Sequence, residues 1–234
     1  MADVMVIKLK NFCSRKEFQL LDKISEQRRR LIYSYYKEED AYRSYISALL
    51  VRYILCNYIE CDNSQLLFGF HRYGKPYVIN STNCFFNISH SCNYVVCIVD
   101  PKECGIDIEL IDRMDFDIAK DFFHKNEYLH ILSYDKKEDR DNYFFFLWTV
   151  KEAYLKTLGT GLAKPLSSFW VEKYNNGKIH ISDNDRSIAM PTNISSMVVD
   201  KKYYISSATF SPPHYTFVED KELLSAIKNS SYFS

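Results

Sequence analysis

Two short stretches of the chain carry acidic and basic residues at spacings that could hold a metal ion against a phosphorylated substrate. Residues 105–109 have the sequence Gly-Ile-Asp-Ile-Glu, and alternation along a strand places Asp107 and Glu109 on one face. In the helix predicted over residues 148–156, Glu152 and Lys156 lie one turn apart. Three carboxylates and a lysine on two rigid elements favour a hard divalent cation, because such ions prefer oxygen ligands and substrate phosphates.

The acidic residues also have a simpler interpretation. Two acids separated by one residue are more typical of a solvent-exposed strand face than of a metal site. Lys151 and Lys156 close to Glu152 favour the site, since cations beside carboxylates suit a bound pyrophosphate.

A further polar cluster ends a strand that is predicted to be buried. Residues 86–91 have the sequence Phe-Asn-Ile-Ser-His-Ser, in which Ser89, His90 and Ser91 could donate hydrogen bonds to phosphate oxygens. A serine-rich turn with a surface histidine is the alternative. A nucleophilic Ser–His pair is not indicated, because no G-x-S-x-G turn supports it.

Other cations could contact phosphate groups. Lys75 stands in a Gly-Lys-Pro turn, and Arg43 lies in a long amphipathic helix predicted for residues 38–58. The run of three arginines that begins at Arg28 lies in a stretch of helical period. A solvated helix face remains the alternative interpretation for at least two of these three arginines.

Composition limits the class of protein. The 234 residues include 30 basic and 30 acidic residues, so the net charge of zero argues against general attraction to nucleic acid or anionic membranes. Seven scattered cysteines without a C-x-x-C pair predict reduced thiols packed as apolar residues rather than a zinc site or disulfide framework. With no cationic-plus-apolar leader and no run of about 18 apolar residues, we expect a soluble, cytoplasmic protein.

The remaining pattern predicts two similar halves. Strands are expected at residues 4–9, 85–88, 94–99 and 105–109, helices at 18–34, 38–58, 116–133 and 139–158, and a β-rich tail after residue 169. The sequence Lys-Glu-Glu-Asp at 37–40 is echoed by Lys-Lys-Glu-Asp at 136–139, each at the start of a long helix. This echo indicates either chance or a duplication with halves 1–103 and 104–234.

Taken together, these blocks resemble the 4′-phosphopantetheinyl transferases of the surfactin-synthetase-activating (Sfp) type. The resemblance covers almost the whole chain, through residues 37–43, 73–76, 87–91, 105–109, 122–123 and 148–153, then Lys156, Gly159, Gly161 and Leu162. It implies an α+β fold of two similar halves related by a pseudo-twofold axis, with coenzyme A in the cleft between them.

The resemblance also implies the reaction. The phosphopantetheine arm of coenzyme A would pass to a serine of an apo carrier protein, releasing 3′,5′-ADP. The acceptor would be a peptidyl, aryl or acyl carrier domain of a nonribosomal peptide or polyketide synthase, or the fatty-acid carrier. Mg²⁺, or Mn²⁺ in its place, would bind Asp107, Glu109 and Glu152.

The implied contacts with coenzyme A form a second set. They fall on Arg28, Arg43, Lys75, Ser89, His90, Lys151 and Lys156. Leu31 departs from the family, which has a basic residue there. Among the implied catalytic residues, His90 would grip the pyrophosphate and Lys156 would balance charge on the leaving 3′,5′-ADP. Glu152, Glu109 or a water would be the base.

The same resemblance places carrier docking on residues 111–124 of the second half, and the 3′-phosphate and adenine of coenzyme A on the first. The aromatic and sulfur side chains in the docking segment are Met114, Phe116, Phe122 and Phe123. Two alternatives remain, a non-catalytic module that binds coenzyme A and carrier proteins, and a metal-dependent nuclease. Two fused halves would complete the site within one chain, so we expect a monomer.

Overall fold

The computed structural model describes residues 1–10, 12–114, 116–174, 176–185 and 189–234. The described residues form a mixed α+β fold, as predicted, with eleven strands, six α-helices and short 3₁₀ turns. Within this part of the chain, no helix combines the length and apolar character needed to cross a bilayer. All seven cysteines are free thiols, and four of them are buried.

The first part of the chain builds a sheet and a long helix. Its elements are β1 Ala2–Lys8, α1 Glu26–Ser34, α2 Glu38–Ile59, β2 Phe68–Phe70, β3 Pro76–Val78, β4 Phe85–Ser91 and β5 Tyr94–Asp100.

The second part begins with the acidic strand. Its elements are β6 Gly105–Leu110, α3 Phe116–Phe122, α4 Lys125–Leu132, α5 Lys137–Leu158, β7 Phe169–Lys173, β8 Ile179–Asp183, β9 Asn193–Val199, β10 Tyr203–Thr209, β11 Pro213–Glu219 and α6 Asp220–Asn229.

Two main sheets carry these elements. One has the order β11-β1-β5-β4, in which only β1 and β11 are parallel, and the other has the antiparallel order β6-β10-β9. The pairs β2–β3 and β7–β8 form hairpins. Helix α2 packs on the first sheet and α5 on the second. Both helices have 22 residues and begin at the echoed sequence.

The end of the chain returns to the first sheet. Strand β11 pairs with β1, and Leu223 and Ile227 of α6 join the core beneath α2. The division into residues 1–103 and 104–234 stays a prediction.

Strand β6 lies unusually close to helix α5. A Cβ atom at Gly105 would be 2.1 Å from the Ala153 carbonyl oxygen and 2.5 Å from the Thr157 nitrogen, so no other residue fits without displacing backbone. On the opposite face of the strand, Ile106 and Ile108 are completely buried in the core between the two sheets. The strand is therefore fixed from both sides.

Two helices differ from those predicted: one is interrupted, and the other begins later in the chain. The expected helix over residues 116–133 is two helices, because the His124 side chain accepts a hydrogen bond from the Asn126 amide and caps α4. The expected helix over residues 18–34 is regular only after Ser25, whose hydroxyl accepts a hydrogen bond from the Arg28 amide.

A buried ion pair joins α4, α5 and β7. Lys151 is completely buried, with its ammonium 2.8 Å from Glu127 and donating to the carbonyls of Leu166 and Phe169, both at 2.8 Å. The other Glu127 oxygen accepts a hydrogen bond from the Val171 amide at 2.8 Å. Burial raises the pKa of Glu127 and lowers that of Lys151, and their mutual attraction opposes both shifts.

Removing one member of this pair tests its structural role. We expect Glu127→Gln to lower the free energy of unfolding by about 3–5 kcal/mol, because the Lys151 ammonium would remain buried without its counter-charge. Urea unfolding measures the change. The control is Glu26→Gln, which breaks an exposed pair with Arg30 and should have little effect. Equal, small changes in both variants would contradict a structural role for the buried pair.

Candidate active site

Side chains of β4 join the edges of the two main sheets. The Ser89 hydroxyl donates to Asp107 Oδ1 at 2.8 Å, and the Ser91 hydroxyl donates to Glu109 Oε2 at 3.0 Å. The Asn87 side-chain oxygen accepts a hydrogen bond from the Ile106 amide at 3.1 Å. The polar strand end and the acidic strand, predicted separately from the sequence, therefore lie against each other.

Lys156 brings helix α5 to this junction. Its ammonium is 2.6 Å from Asp107 Oδ1 and 3.0 Å from the Ser89 hydroxyl, and it also donates to the Ile106 carbonyl at 3.3 Å. The Asp107 side chain is 4% exposed, whereas that of Lys156 is 26% exposed. A cation from the helix thus compensates a buried carboxylate of the strand while remaining accessible to a ligand.

The second oxygen of Asp107 is a free acceptor. Oδ2 is buried and has no hydrogen-bond partner among the residues that the structure describes. Leaving a charged acceptor unpaired in the protein interior is costly, so this oxygen favours an additional cation or donor.

The three predicted metal ligands influence one another electrostatically. Burial and then the charge of Asp107 raise the pKa of Glu109 to about 7, against the opposing effects of Ser91 and Lys156. Burial and Asp107 also raise the pKa of Glu152. A cation bound among these carboxylates would relieve their repulsion.

The donor set therefore fits a hard cation in its chemistry. Among the described residues, however, no three acidic, imidazole or thiol side chains are already arranged to coordinate one ion. Lys156 contacts one Asp107 oxygen, Ser91 donates to Glu109, and both Glu109 and Glu152 are half-buried. Metal binding by Asp107, Glu109 and Glu152 remains a prediction.

His90 lies among cations. The imidazole has an exposed edge, yet desolvation by the protein around it lowers its pKa, and the charges of Arg43, Lys156 and Arg28 add to this effect. Arg43 is itself held by the Cys92 carbonyl at 2.8 Å and by Asp40 at 2.5 Å. Three positive charges that act on one histidine are typical of an anion-binding site.

A cavity of about 600 Å³ opens next to this group, between α1, α2 and the β2–β3 hairpin. Arg28 lines it, and burial lowers the pKa of this guanidinium. The buried Ser47 hydroxyl also lines it and finds no hydrogen-bond partner within the described part of the chain. Leu31, where the resemblance implies a basic residue, also lines the cavity. The volume is that of a small-molecule pocket.

Most of the cavity wall was not found by sequence reasoning. The wall includes Ser47, Val51, Arg52, Leu66, Leu67, Phe68, Phe70, Phe86 and Ile88. These residues are mainly apolar and read as ordinary core positions, so only their arrangement in space reveals the pocket.

Two predicted coenzyme A ligands are engaged elsewhere. The Lys151 ammonium is enclosed in the core with Glu127, so the structure assigns it to packing and corrects its predicted contact with coenzyme A. The Lys75 ammonium contacts Glu103 at 2.5 Å and the carbonyls of Cys104 and Thr157 at 3.2 and 3.1 Å. Its side chain is only 8% exposed.

In the predicted docking segment, some of the apolar side chains are exposed and others are buried in the core. Asp115 lies outside the described residues. Phe122 is 54% exposed, whereas Phe123 is 3% exposed and stacks on Phe144 at 5.1 Å. Met114 and Phe116 are half-buried against the core of the second part. Phe122 is therefore the member of this set that is available to a partner.

Comparison with known proteins agrees with these features. A family model described as "4′-phosphopantetheinyl transferase, N-terminal" matches residues 13–102, and one described as "4′-phosphopantetheinyl transferase superfamily" matches residues 103–206. A more distant likeness is to the crystal structure of Thermotoga maritima holo-[acyl-carrier-protein] synthase, with a TM-score of 0.38 and 20% identity over 47% of this chain and 64% of that one.

Two relatives align over most of their length. The 4′-phosphopantetheinyl transferase gsp of Aneurinibacillus migulanus is 38% identical over 74% of this chain and 72% of its own. The 4′-phosphopantetheinyl transferase Sfp of Bacillus subtilis (strain 168) is 36% identical over 86% of this chain and 88% of its own. Since both matches span more than two thirds of the relatives, this chain belongs to the 4′-phosphopantetheinyl transferases of the Sfp type.

Proposed function

We propose that this enzyme transfers the phosphopantetheine arm of coenzyme A to a serine of an apo carrier protein at the junction of β4, β6 and α5. The observation that carries this proposal is the hydrogen-bonded group of Ser89, Asp107 and Lys156, with a buried Asp107 oxygen left free. Such a group offers both positive charge for a pyrophosphate and oxygen ligands for a cation.

In this proposal, Asp107, Glu109 and Glu152 hold Mg²⁺, or Mn²⁺ in its place. When bound, the ion supplies positive charge that stabilises the pyrophosphate as its phosphoanhydride bond breaks. The free Asp107 oxygen and the raised pKa values of Glu109 and Glu152 support this assignment, because each is relieved by a neighbouring cation.

The protein's own cations would position coenzyme A. Lys156, which donates to the Ser89 hydroxyl, would face the pyrophosphate together with Ser89 and His90, and Arg43 would add positive charge near the imidazole. The nucleotide end would enter the adjacent cavity, where Arg28 is the cation and Leu31 adds none. Residues 1–103 would thus bind the nucleotide, and residues 104–234 would supply the metal ligands, the catalytic helix and the carrier surface.

The carrier serine must lose a proton as its oxygen attacks phosphorus and the bond to 3′,5′-ADP breaks. Glu152 is our first candidate for the base, with Glu109 or a water as the other candidates. Both carboxylates lie beside Asp107, and their position at the metal site would put them close to the attacking serine. Lys156 would balance the negative charge that appears on the departing 3′,5′-ADP.

A non-catalytic module that only binds coenzyme A and carrier proteins is less well supported. Such a module has no need for Asp107, Glu109, Glu152 and Lys156 together, yet the chain retains all four. We further propose that the enzyme works as a cytoplasmic monomer, since one chain supplies every predicted group and its cysteines are free.

The reaction can be tested by intact mass of apo peptidyl, aryl and acyl carrier domains incubated with the enzyme, coenzyme A and Mg²⁺. We expect a gain of one phosphopantetheine group, abolished by EDTA. Glu152→Gln should slow the transfer about a hundredfold or more, because it removes a carboxylate and the proposed base. The control is Glu172→Gln, a half-exposed side chain on β7. No mass gain on any carrier, with coenzyme A still bound, would favour the non-catalytic module.

The docking proposal has its own test. Phe122→Ala should raise the KM for the carrier domain about fivefold to tenfold and leave the KM for coenzyme A unchanged, because an exposed aromatic anchor would be lost. The control is Phe217→Ala, which truncates a similarly exposed phenylalanine on β11. An unchanged carrier KM for Phe122→Ala would contradict docking at this residue.

A further inference from the structure

Lys75 belongs to the turn between β2 and β3, but its ammonium reaches residues just before β6 and at the end of α5. Its ammonium contacts Glu103 and donates to the carbonyls of Cys104 and Thr157. An ammonium group has three N–H donors. Three acceptors therefore use its full donor capacity, and a phosphate oxygen would have to displace one of them.

The Thr157 contact lies in the last turn of α5. Carbonyls at the end of a helix lack partners within the helix, and this end carries the negative pole of the helix dipole, so a lysine is well placed there. Gly159 ends the helix with a φ of +68°, and a Cβ at this glycine would be 3.2 Å from Lys75 Cδ. The glycine thus leaves room for the lysine stem.

The Cys104 contact lies directly before strand β6, which meets α5 at Gly105. Cys104 immediately precedes Gly105, and Thr157 immediately follows Lys156. The ammonium therefore bridges backbone groups on both sides of the place where β6 and α5 touch. Lys156 directly precedes Thr157, and Asp107 follows Cys104 by three residues in the chain. The Lys156 ammonium and Asp107 Oδ1 are 2.6 Å apart.

We propose that Lys75 is a positioning residue that holds α5 against β6 and so sets the place of Lys156 relative to Asp107. This inference rests on the proposed function for its effect on turnover. It replaces the predicted contact of the Lys75 ammonium with coenzyme A. We call the contacts of the Lys75 ammonium with Glu103, Cys104 and Thr157 the clamp. The β2–β3 hairpin also lines the nucleotide cavity through Phe68 and Pro76, so the clamp connects the cavity wall to the catalytic helix α5.

The variant Lys75→Met keeps the apolar stem and removes the ammonium. We expect kcat to fall between about tenfold and a hundredfold, because Lys156 would be slightly misplaced relative to Asp107 and the reacting groups. The KM and the calorimetric Kd for coenzyme A should change by less than about twofold. Glu103→Gln, a milder change to the same contact, should give the same split between kcat and KM with a smaller effect.

Hydrogen exchange gives a readout that does not need activity. Amides at the end of α5 and at the start of β6 should exchange faster in Lys75→Met, with little change in α2. Lys102→Met is the matched control, because it removes an exposed lysine close to the same strand and should alter neither exchange nor kcat.

Three results would overturn the clamp. One is a Kd for coenzyme A that rises about tenfold in Lys75→Met while kcat is unchanged, as expected if Lys75 contacts coenzyme A directly. Another is unchanged exchange at the end of α5. The third is an unchanged kcat in an active enzyme. If the wild-type enzyme transfers no phosphopantetheine, the proposed function fails, and the exchange and Kd measurements still decide whether Lys75 clamps the helix.

Discussion

The whole site depends on how closely strand β6 lies against helix α5. A backbone contact of this kind requires glycine at position 105, since a Cβ there would overlap the Ala153 carbonyl. With the backbones this close, the Lys156 ammonium reaches Asp107 and the hydroxyl of Ser89 at the same time. The hydrophobic core behind Ile106 and Ile108 holds the strand in place from the other side. Packing thus sets the geometry of the charged groups.

The charge in this junction is not fully compensated. Lys156 neutralises one side of Asp107, the other oxygen is free, and Glu109 and Glu152 both have raised pKa values. Around His90 the excess charge is positive, because Arg43, Lys156 and Arg28 all lower the pKa of the imidazole. Neighbouring regions of negative and positive charge are what a metal-bound pyrophosphate would need.

Residue periodicity was enough to predict the acidic group. Strand alternation put Asp107 and Glu109 together, and the one-turn spacing put Lys156 beside Glu152. The same geometry explains the error at Lys151, which is one turn from Leu147 and three residues before Tyr154, and so shares their buried side. Helical spacing could have identified Lys151 as a core residue before the structure was known.

Contacts between distant segments could not be predicted in this way. Nothing in the sequence pairs Lys75 with Thr157, or Ser89 with Asp107, because these contacts depend on how the two sheets meet. The cavity has the same origin, since its apolar wall comes from α1, α2, the hairpin and β4. The break at His124 was missed because histidine is not among the usual residues that begin a helix.

The most direct test of this account is the anomalous diffraction of Mn²⁺ in crystals grown with coenzyme A. If the three carboxylates bind the ion, one strong peak lies within coordination distance, about 2.2 Å, of the free Asp107 oxygen and of Glu109 and Glu152. The account also predicts pyrophosphate oxygens at the same ion, with Lys156 beside them. A peak held by other residues, or a bound coenzyme A whose pyrophosphate lies away from Asp107, would contradict it.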